Sequence, residues 1–212
     1  METADRQAGT VSEQGSKPGQ PDLLRIGAAI EMTVYLIRHG KTEANEKHLY
    51  CGSTDLPLSE RGRAELQNLH YDIRDVRFLT SGMKRTDETL QILFGNVPYE
   101  VESRFRDVDF GIFEMHSYEE LKDTEKYQAW LTGDNETNVP PNGESGRQMK
   151  MRVLTALFEI CEDSCVITHG GVIAAIMEYL FPNEDKNRYE WQPAPGCGYR
   201  IKGMEYWNLE TT

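Results

Sequence analysis

Short apolar runs, each cut off by a polar turn, alternate along this chain with longer stretches in which apolar residues recur at helical spacing. The runs read as buried strands and the stretches as amphipathic helices. Val34, Leu36 and Ile37 predict a first strand that ends abruptly at Arg38-His39-Gly40. Val76 to Leu79, Val97 to Val101 and Cys165 to Thr168 predict three more, and Tyr199 to Leu209 reads as two short strands around Lys202-Gly203. Helices are expected after Leu58-Ser59-Glu60, with Ser59 as cap, then over Met83 to Phe94 with Gly95 as its stop. Further helical periodicity covers Ser117 to Leu131, Glu144 to Cys161 and Val172 to Phe181. Between them, Glu46 to Pro57 and Gly133 to Gly143 read as loops and Arg104 to Phe113 as irregular. Strands alternating with helices predict a three-layer α/β/α sandwich with a mostly parallel central sheet. Residues 1–31 are mostly polar, so a disordered or loosely docked N-terminal extension is expected before a single domain at 32–212.

Charge narrows the partners. The formal net charge is -12, and non-specific nucleic-acid binding needs basic surface to neutralise phosphates, so no nucleic-acid partner is expected. No apolar run approaches a membrane span. The cysteines, Cys51, Cys161, Cys165 and Cys197, show neither a CxxC pair nor a metal-ligand spacing. They read as reduced thiols of a cytoplasmic protein. The same data leave monomer and homodimer open.

The candidate chemistry lies where strands end. In a parallel sheet, Arg38-His39-Gly40, the helix carrying Arg85, and His169-Gly170-Gly171 would open on one edge, where such sheets bind ligands. Helix amino termini near Met83 and Gly171 would add N–H donors. Two histidines and two arginines at one rim suit a phosphoryl group, whose charge planar guanidinium forks can follow.

These residues also carry a resemblance. Arg38-His39-Gly40-Lys41-Thr42-Glu43-Ala44-Asn45 resembles the RHG-x-[ST]-x-x-N signature of the histidine phosphatase superfamily, in its phosphoglycerate-mutase-like branch. Gly52-x-x-Asp55-x-Pro57-Leu58-Ser59-x-x-Gly62, Thr80-Ser81-x-x-x-Arg85, Gly143-Glu144-Ser145 with Arg152, and Thr168-His169-Gly170-Gly171 follow in the family's order. The resemblance implies a phosphoglycerate-mutase-like fold and a small phosphorylated metabolite as substrate. It implies that His39 is the nucleophile and becomes phosphorylated, and that Arg38, Arg85 and His169 bind the phosphoryl oxygens. Thr42, Asn45 and the Cys51-Gly52 backbone would line the pocket beside Gly170. No metal or other cofactor is needed, because arginines and histidines supply the positive charge. His169-Gly170-Gly171 is similar to the phosphatase members, and Asp109-Phe110-Gly111-x-Phe113-Glu114 with Gly143-Glu144-Ser145 most resembles the α-ribazole and broad sugar-phosphate phosphatases among them. A phosphoglycerate mutase and a non-catalytic phosphate-binding module are the alternatives.

One departure concerns the proton donor. The family's glutamate position holds Asp107, one carbon–carbon bond shorter, and Asp109 and Glu114 are the fallback acids. Gly40-Lys41-Thr42 imitates a P-loop end, but Tyr35 stands where that motif needs glycine. Asn135-Glu136-Thr137 forms a sequon without other signs of secretion. His48, His70 and His116 read as surface or packing residues, and Trp130, Trp191 and Trp207 as core or rim packing. Tyr189 to Tyr199 is a candidate cover for the pocket.

Overall fold

The computed structural model describes residues 32–134 and 136–211. The expected extension at 1–31 and the sequon's Asn135 lie outside the described residues. The strands are β1 (Val34–Arg38), β2 (Arg77–Thr80), β3 (Tyr99–Val101), β4 (Ser164–Thr168), β5 (Gly198–Lys202) and β6 (Glu205–Asn208). The helices are α1 (Glu43–Glu46), α2 (Glu60–Leu66), α3 (Lys84–Phe94), α4 (Tyr118–Leu121), α5 (Glu125–Leu131), α6 (Gly146–Phe158) and α7 (Gly170–Leu180). They build one sheet in the order β3-β2-β4-β1-β5-β6. Its first four strands run parallel, and β5 and β6 are antiparallel additions.

Strand β4 is buried along its whole length, as expected of an interior parallel strand with helices on both faces. The two-residue period of the strands divides the core. Leu36 and Val166 join Met149, Val153, Ile173 and Ile176 of α6 and α7 on one face. Ile37, Cys165 and Ile167 meet Phe78 and Leu90 on the other. A smaller cluster, Phe113, Leu121 and Tyr127, gathers Tyr50, Phe110 and Trp130 around it.

Register sets the functional edge. Arg38 is paired with Thr168 and Thr80 with Ile167, and the His39 N–H donates to the Thr168 carbonyl at 2.9 Å. The residues leaving β1, β2 and β4, namely His39, Ser81 and His169, therefore emerge side by side.

The elements depart from the periodicity in three places. Ser117 to Leu131 is two helices, α4 and α5, because the Thr124 hydroxyl and N–H both take the Leu121 carbonyl, at 2.8 Å each, and end the first turn there. A single turn of helix, α1, follows β1 directly, started by a reciprocal capping box between Thr42 and Asn45. Strand β3 begins only at Tyr99, since Val97 is spent in a turn bonded to Gly95.

Candidate active site

His39 sits just past β1, and its Nδ1 lies 2.7 Å from the carbonyl of Gly40. A carbonyl only accepts, so Nδ1 carries the proton and Nε2 keeps its lone pair. Burial, and then the Arg85 guanidinium, drive the His39 pKa well below the ordinary imidazole value. The ring is thus neutral in the ligand-free site. The Gly40 N–H donates to the Thr89 hydroxyl at 3.0 Å, and that hydroxyl donates to the Arg85 carbonyl at 2.6 Å. The turn bearing His39 is therefore tied to the helix bearing Arg85.

His169 caps the start of α7 in an extended conformation, with its ring centroid 5.0 Å from that of His39. Its Nε2 is 2.9 Å from the Ser81 hydroxyl, which is 3.1 Å from that of Thr86, and Thr86 donates to the Met83 carbonyl at 2.7 Å. A donor chain that ends on a carbonyl has one direction, so His169 Nε2–H donates to Ser81. Its Nδ1 is left to accept from Arg85 Nε at 3.3 Å. Burial and Arg85 also pull the His169 pKa far down.

Arg85 is 1% exposed. Its Nη1 donates to the Thr54 carbonyl at 2.9 Å and its Nη2 to the Gly52 carbonyl at 2.7 Å. That loop is held in turn by Glu114, whose carboxylate accepts the N–H groups of Gly52, Ser53, Thr54 and Phe110 and the Thr54 hydroxyl at 2.6–3.2 Å. Glu114 is thereby committed to the loop. Asp109 is committed likewise, accepting from the Ser53 hydroxyl and the Gly111 N–H. Of the three acids weighed as proton donors, Asp107 is the one that lines the cavity.

Asp107 Oδ2 stands 3.9 Å from His169 Nδ1, and its side chain is 16% exposed. Burial raises its pKa against the pull of Arg85 and Arg38, the direction a proton donor needs. The backbone beneath it is strapped by Arg152, which donates to the carbonyls of Arg104, Arg106 and Asp107 and pairs with Glu144. Two glycines make the room. A Cβ at Gly170 would stand 3.1 Å from the Arg38 guanidinium carbon, and one at Gly171 would stand 3.0 Å from Asp107 Oδ1.

Arg38 donates through Nη1 to the Pro193 carbonyl at 2.9 Å, while its buried Nε has no partner. At about 4 Å and an effective dielectric near 20, each cation–anion contact is worth roughly 4 kcal/mol. Arg38 can therefore offset part of the cost of drying a dianionic phosphoryl group, while Arg85, spent on the Thr54 and Gly52 carbonyls, and the fully buried His169 stand behind the cavity wall.

A cavity of about 370 Å³ opens over Arg38, His39 and Asp107, and Asn45, Cys51 and Gly170 also line it. Two expectations about its wall change. Thr42 is buried behind it, with its hydroxyl on Asn45 Oδ1, and the Gly52 backbone is used by Glu114 and Arg85 instead of facing the cavity. The Cys51 thiol, pushed by burial up to about 11, stays protonated at neutral pH. Trp130 lines the cavity, Trp191 is core, and Trp207 is a surface residue under Arg200. His48, His70 and His116 are exposed. The segment from Tyr189 supplies two wall residues, Tyr189 and Gln192, and is anchored by buried Trp191. Sequence reasoning missed Arg188, and it named Glu144 and Ser81 only inside motifs, without the wall position of the one or the holding role of the other. Ser81 lay inside a recognised motif, but Arg188 carries no local signal.

Known proteins resemble this chain along most of its described length. A family-wide sequence profile described as histidine phosphatase superfamily (branch 1) matches residues 34–206. The adenosylcobalamin/alpha-ribazole phosphatase of Salmonella typhimurium is 30% identical over 178 residues, covering 78% of this chain and 88% of that protein. The human 6-phosphofructo-2-kinase/fructose-2,6-bisphosphatase 4 is 32% identical over 156 residues, 70% of this chain but 32% of that protein. A crystal structure of a phosphoglycerate mutase from Thermus thermophilus superposes with a TM-score of 0.68 at 26% identity, covering 85% of this chain and 100% of that one.

Proposed function

This chain belongs to the histidine phosphatase superfamily, branch 1, and from that premise we propose that it hydrolyses small phosphate monoesters through a phosphohistidine on His39. The observation that carries the reading is the Nδ1 contact to the Gly40 carbonyl, which leaves a neutral Nε2 lone pair in a cavity shared with Arg38 and Asp107.

In the first step the Nε2 lone pair forms a bond to phosphorus as the ester P–O bond breaks. The electron pair leaves on the alcohol oxygen, which takes the Asp107 proton. Arg38, Arg85 and His169 balance the charge on the phosphoryl oxygens. In the second step water attacks phosphorus, the P–N pair returns to Nε2, and Asp107 carboxylate receives the water proton. Free phosphate and the starting enzyme result.

The relatives support a phosphatase but not one ester, since one is named for alpha-ribazole and another for fructose 2,6-bisphosphate. A rapid-quench experiment with a ³²P-labelled monoester tests the reading. Acid-labile, base-stable label on His39, lost together with phosphate release in His39→Ala, is the expected outcome. Isomerisation of 3-phosphoglycerate in the presence of 2,3-bisphosphoglycerate, faster than phosphate release, would replace it with a mutase. No turnover of any ester would leave a phosphate-binding module.

A further inference from the structure

Asp107 belongs to no helix or strand, yet the backbone that carries it is held almost atom by atom. Arg152 donates from Nη1 to the carbonyls of Arg104 and Arg106, at 2.7 Å each, and from Nη2 to that of Asp107 at 2.9 Å. The Thr168 hydroxyl donates to the Phe105 carbonyl at 2.7 Å, and the Glu144 N–H to the Asp109 carbonyl at 2.9 Å. The remaining carbonyl of this run, Val108, is pressed on Gly52, where a Cβ would stand 1.7 Å from its oxygen. Loops usually leave their side chains on backbone that can shift. This one cannot shift without giving up several hydrogen bonds at once.

The arginine is itself fixed. Glu144 accepts from its Nε at 3.1 Å and pairs with its Nη2. The same carboxylate takes the Asp109 N–H at 3.3 Å, so Glu144 holds both the fork and the far end of the segment. Three carbonyls on one side chain need a planar fork, which a lysine does not have.

The carboxyl of Asp107 is bounded in front as well. Its Oδ1 accepts the Val108 N–H at 3.0 Å, a bond back to local backbone that a short acidic side chain makes readily. A Cβ on Gly171 would already stand 3.0 Å from that oxygen. With the backbone fixed behind and the glycine turn in front, side-chain length decides where the proton sits. One more methylene would carry the carboxyl about 1.5 Å further, against Gly171 or into the space over His39.

We infer that Arg152, locked by Glu144, is a positioning residue that sets the depth of Asp107, so that the site is matched to an acid of aspartate length. This rests on the phosphatase reading above, in which Asp107 protonates the leaving oxygen, and names what places that acid.

The parent protein, Asp107→Glu, Arg152→Lys and the double variant test it. Lysine keeps the positive charge beside Glu144 but offers one ammonium where the fork held three carbonyls, so the segment recedes. Each single substitution should lower kcat/KM for an alkyl phosphate by about tenfold or more. The value for p-nitrophenyl phosphate, whose leaving oxygen needs no proton, should fall far less. The two errors have opposite signs, one carboxyl too far forward and the other too far back. The double variant should therefore lose about tenfold less than the product of the single losses.

A purely structural arginine would lower both esters alike and give losses that multiply. Either result overturns the inference, as does Asp107→Glu with parent-like alkyl turnover. Thr168→Val removes the hydroxyl on the Phe105 carbonyl and keeps its outline. It loosens the segment from the sheet side, should couple to Asp107→Glu in the same sense, and replaces Arg152→Lys if that variant does not fold. Failure of the phosphatase reading looks different, because no ester, p-nitrophenyl phosphate included, would release phosphate from the parent. The denaturation midpoints of the same proteins then decide. Asp107→Glu should lower the midpoint less in Arg152→Lys than in the parent, and equal shifts overturn the inference.

Discussion

A side-chain carbon at Gly171 would stand 3.0 Å from Oδ1 of Asp107, so the second glycine of the His169-Gly170-Gly171 turn is the space into which this carboxyl fits. Gly171→Ala is expected to push the acid back by a few tenths of an ångström. Turnover of alkyl phosphates, whose leaving oxygens need a proton, should drop about tenfold or more. Turnover of p-nitrophenyl phosphate should drop far less, and Asp107→Asn should repeat the pattern. Steady-state kinetics on the two ester types check this, and equal losses would remove Asp107 from the acid's role.

The pH profile should be a bell. Its acid limb needs His39 unprotonated, and burial with Arg85 places that pKa well below 6.5. Its alkaline limb needs Asp107 protonated, and burial raises that pKa from the ordinary 3.8. Asp107→Asn should flatten the alkaline limb in kcat/KM. Stability falls on the acid side as well. His39 and His169 take up protons near 6.5 when unfolded and well below it when folded. The unfolded state therefore binds more protons, and stability falls as pH drops below about 6.5. Denaturant melts across pH 4–7 measure it, and a flat or rising stability toward acid would contradict the assignment.

Ser81→Ala removes the acceptor of the His169 Nε2–H. The stranded N–H costs about 1–3 kcal/mol in unfolding free energy, and the ring loses what fixes its tautomer. Nitrogen-15 shifts of His169 should show Nε2–H in the parent protein and a mixture in Ser81→Ala, with Ser81→Thr restoring much of the signal. An unaltered tautomer would mean that Arg85 alone orients the ring.

Glu114→Ala should loosen the Gly52–Thr54 loop and, through its carbonyls, Arg85. Removing the shared acceptor of several N–H groups, most of them half-buried, is expected to cost about 2 kcal/mol or more. Glu114→Gln, which keeps the shape and one acceptor oxygen, should cost less. Unfolding curves give the stability, and a rise in KM for a phosphate ester gives the effect on Arg85. A stability loss with KM unchanged would confine Glu114 to the fold.

Gly52→Ala tests the other side of that loop. A Cβ there would sit 1.7 Å from the Val108 carbonyl oxygen, which is backbone and cannot swing aside. The substitution should destabilise the protein by about 2 kcal/mol or more and lower kcat/KM with it. Parent-like unfolding and kinetics would show that the loop and the Asp107–Val108 segment move apart freely.

Much of this was legible in residues alone. Local rules sufficed for the strand ending at Arg38, the helix stopped at Gly95 and the α/β order, because hydrophobic period and glycine chemistry act over a few neighbours. The motifs carrying His39, Arg85 and His169 were readable because each is short and contiguous. What the chain could not declare was the company each residue keeps. Glu114 and Asp109 look as acidic as Asp107 in the sequence, and only packing decides that two of them hold loops while one faces the cavity. Thr42 looked like a pocket hydroxyl until a local cap claimed it. Arg188, Trp130 and Glu144 are scattered along the chain, and their grouping at one cavity depends on how loops cross over the sheet. Local periodicity carries no record of such crossings, because the burial and pairing that give those side chains their roles exist only once distant segments have packed together.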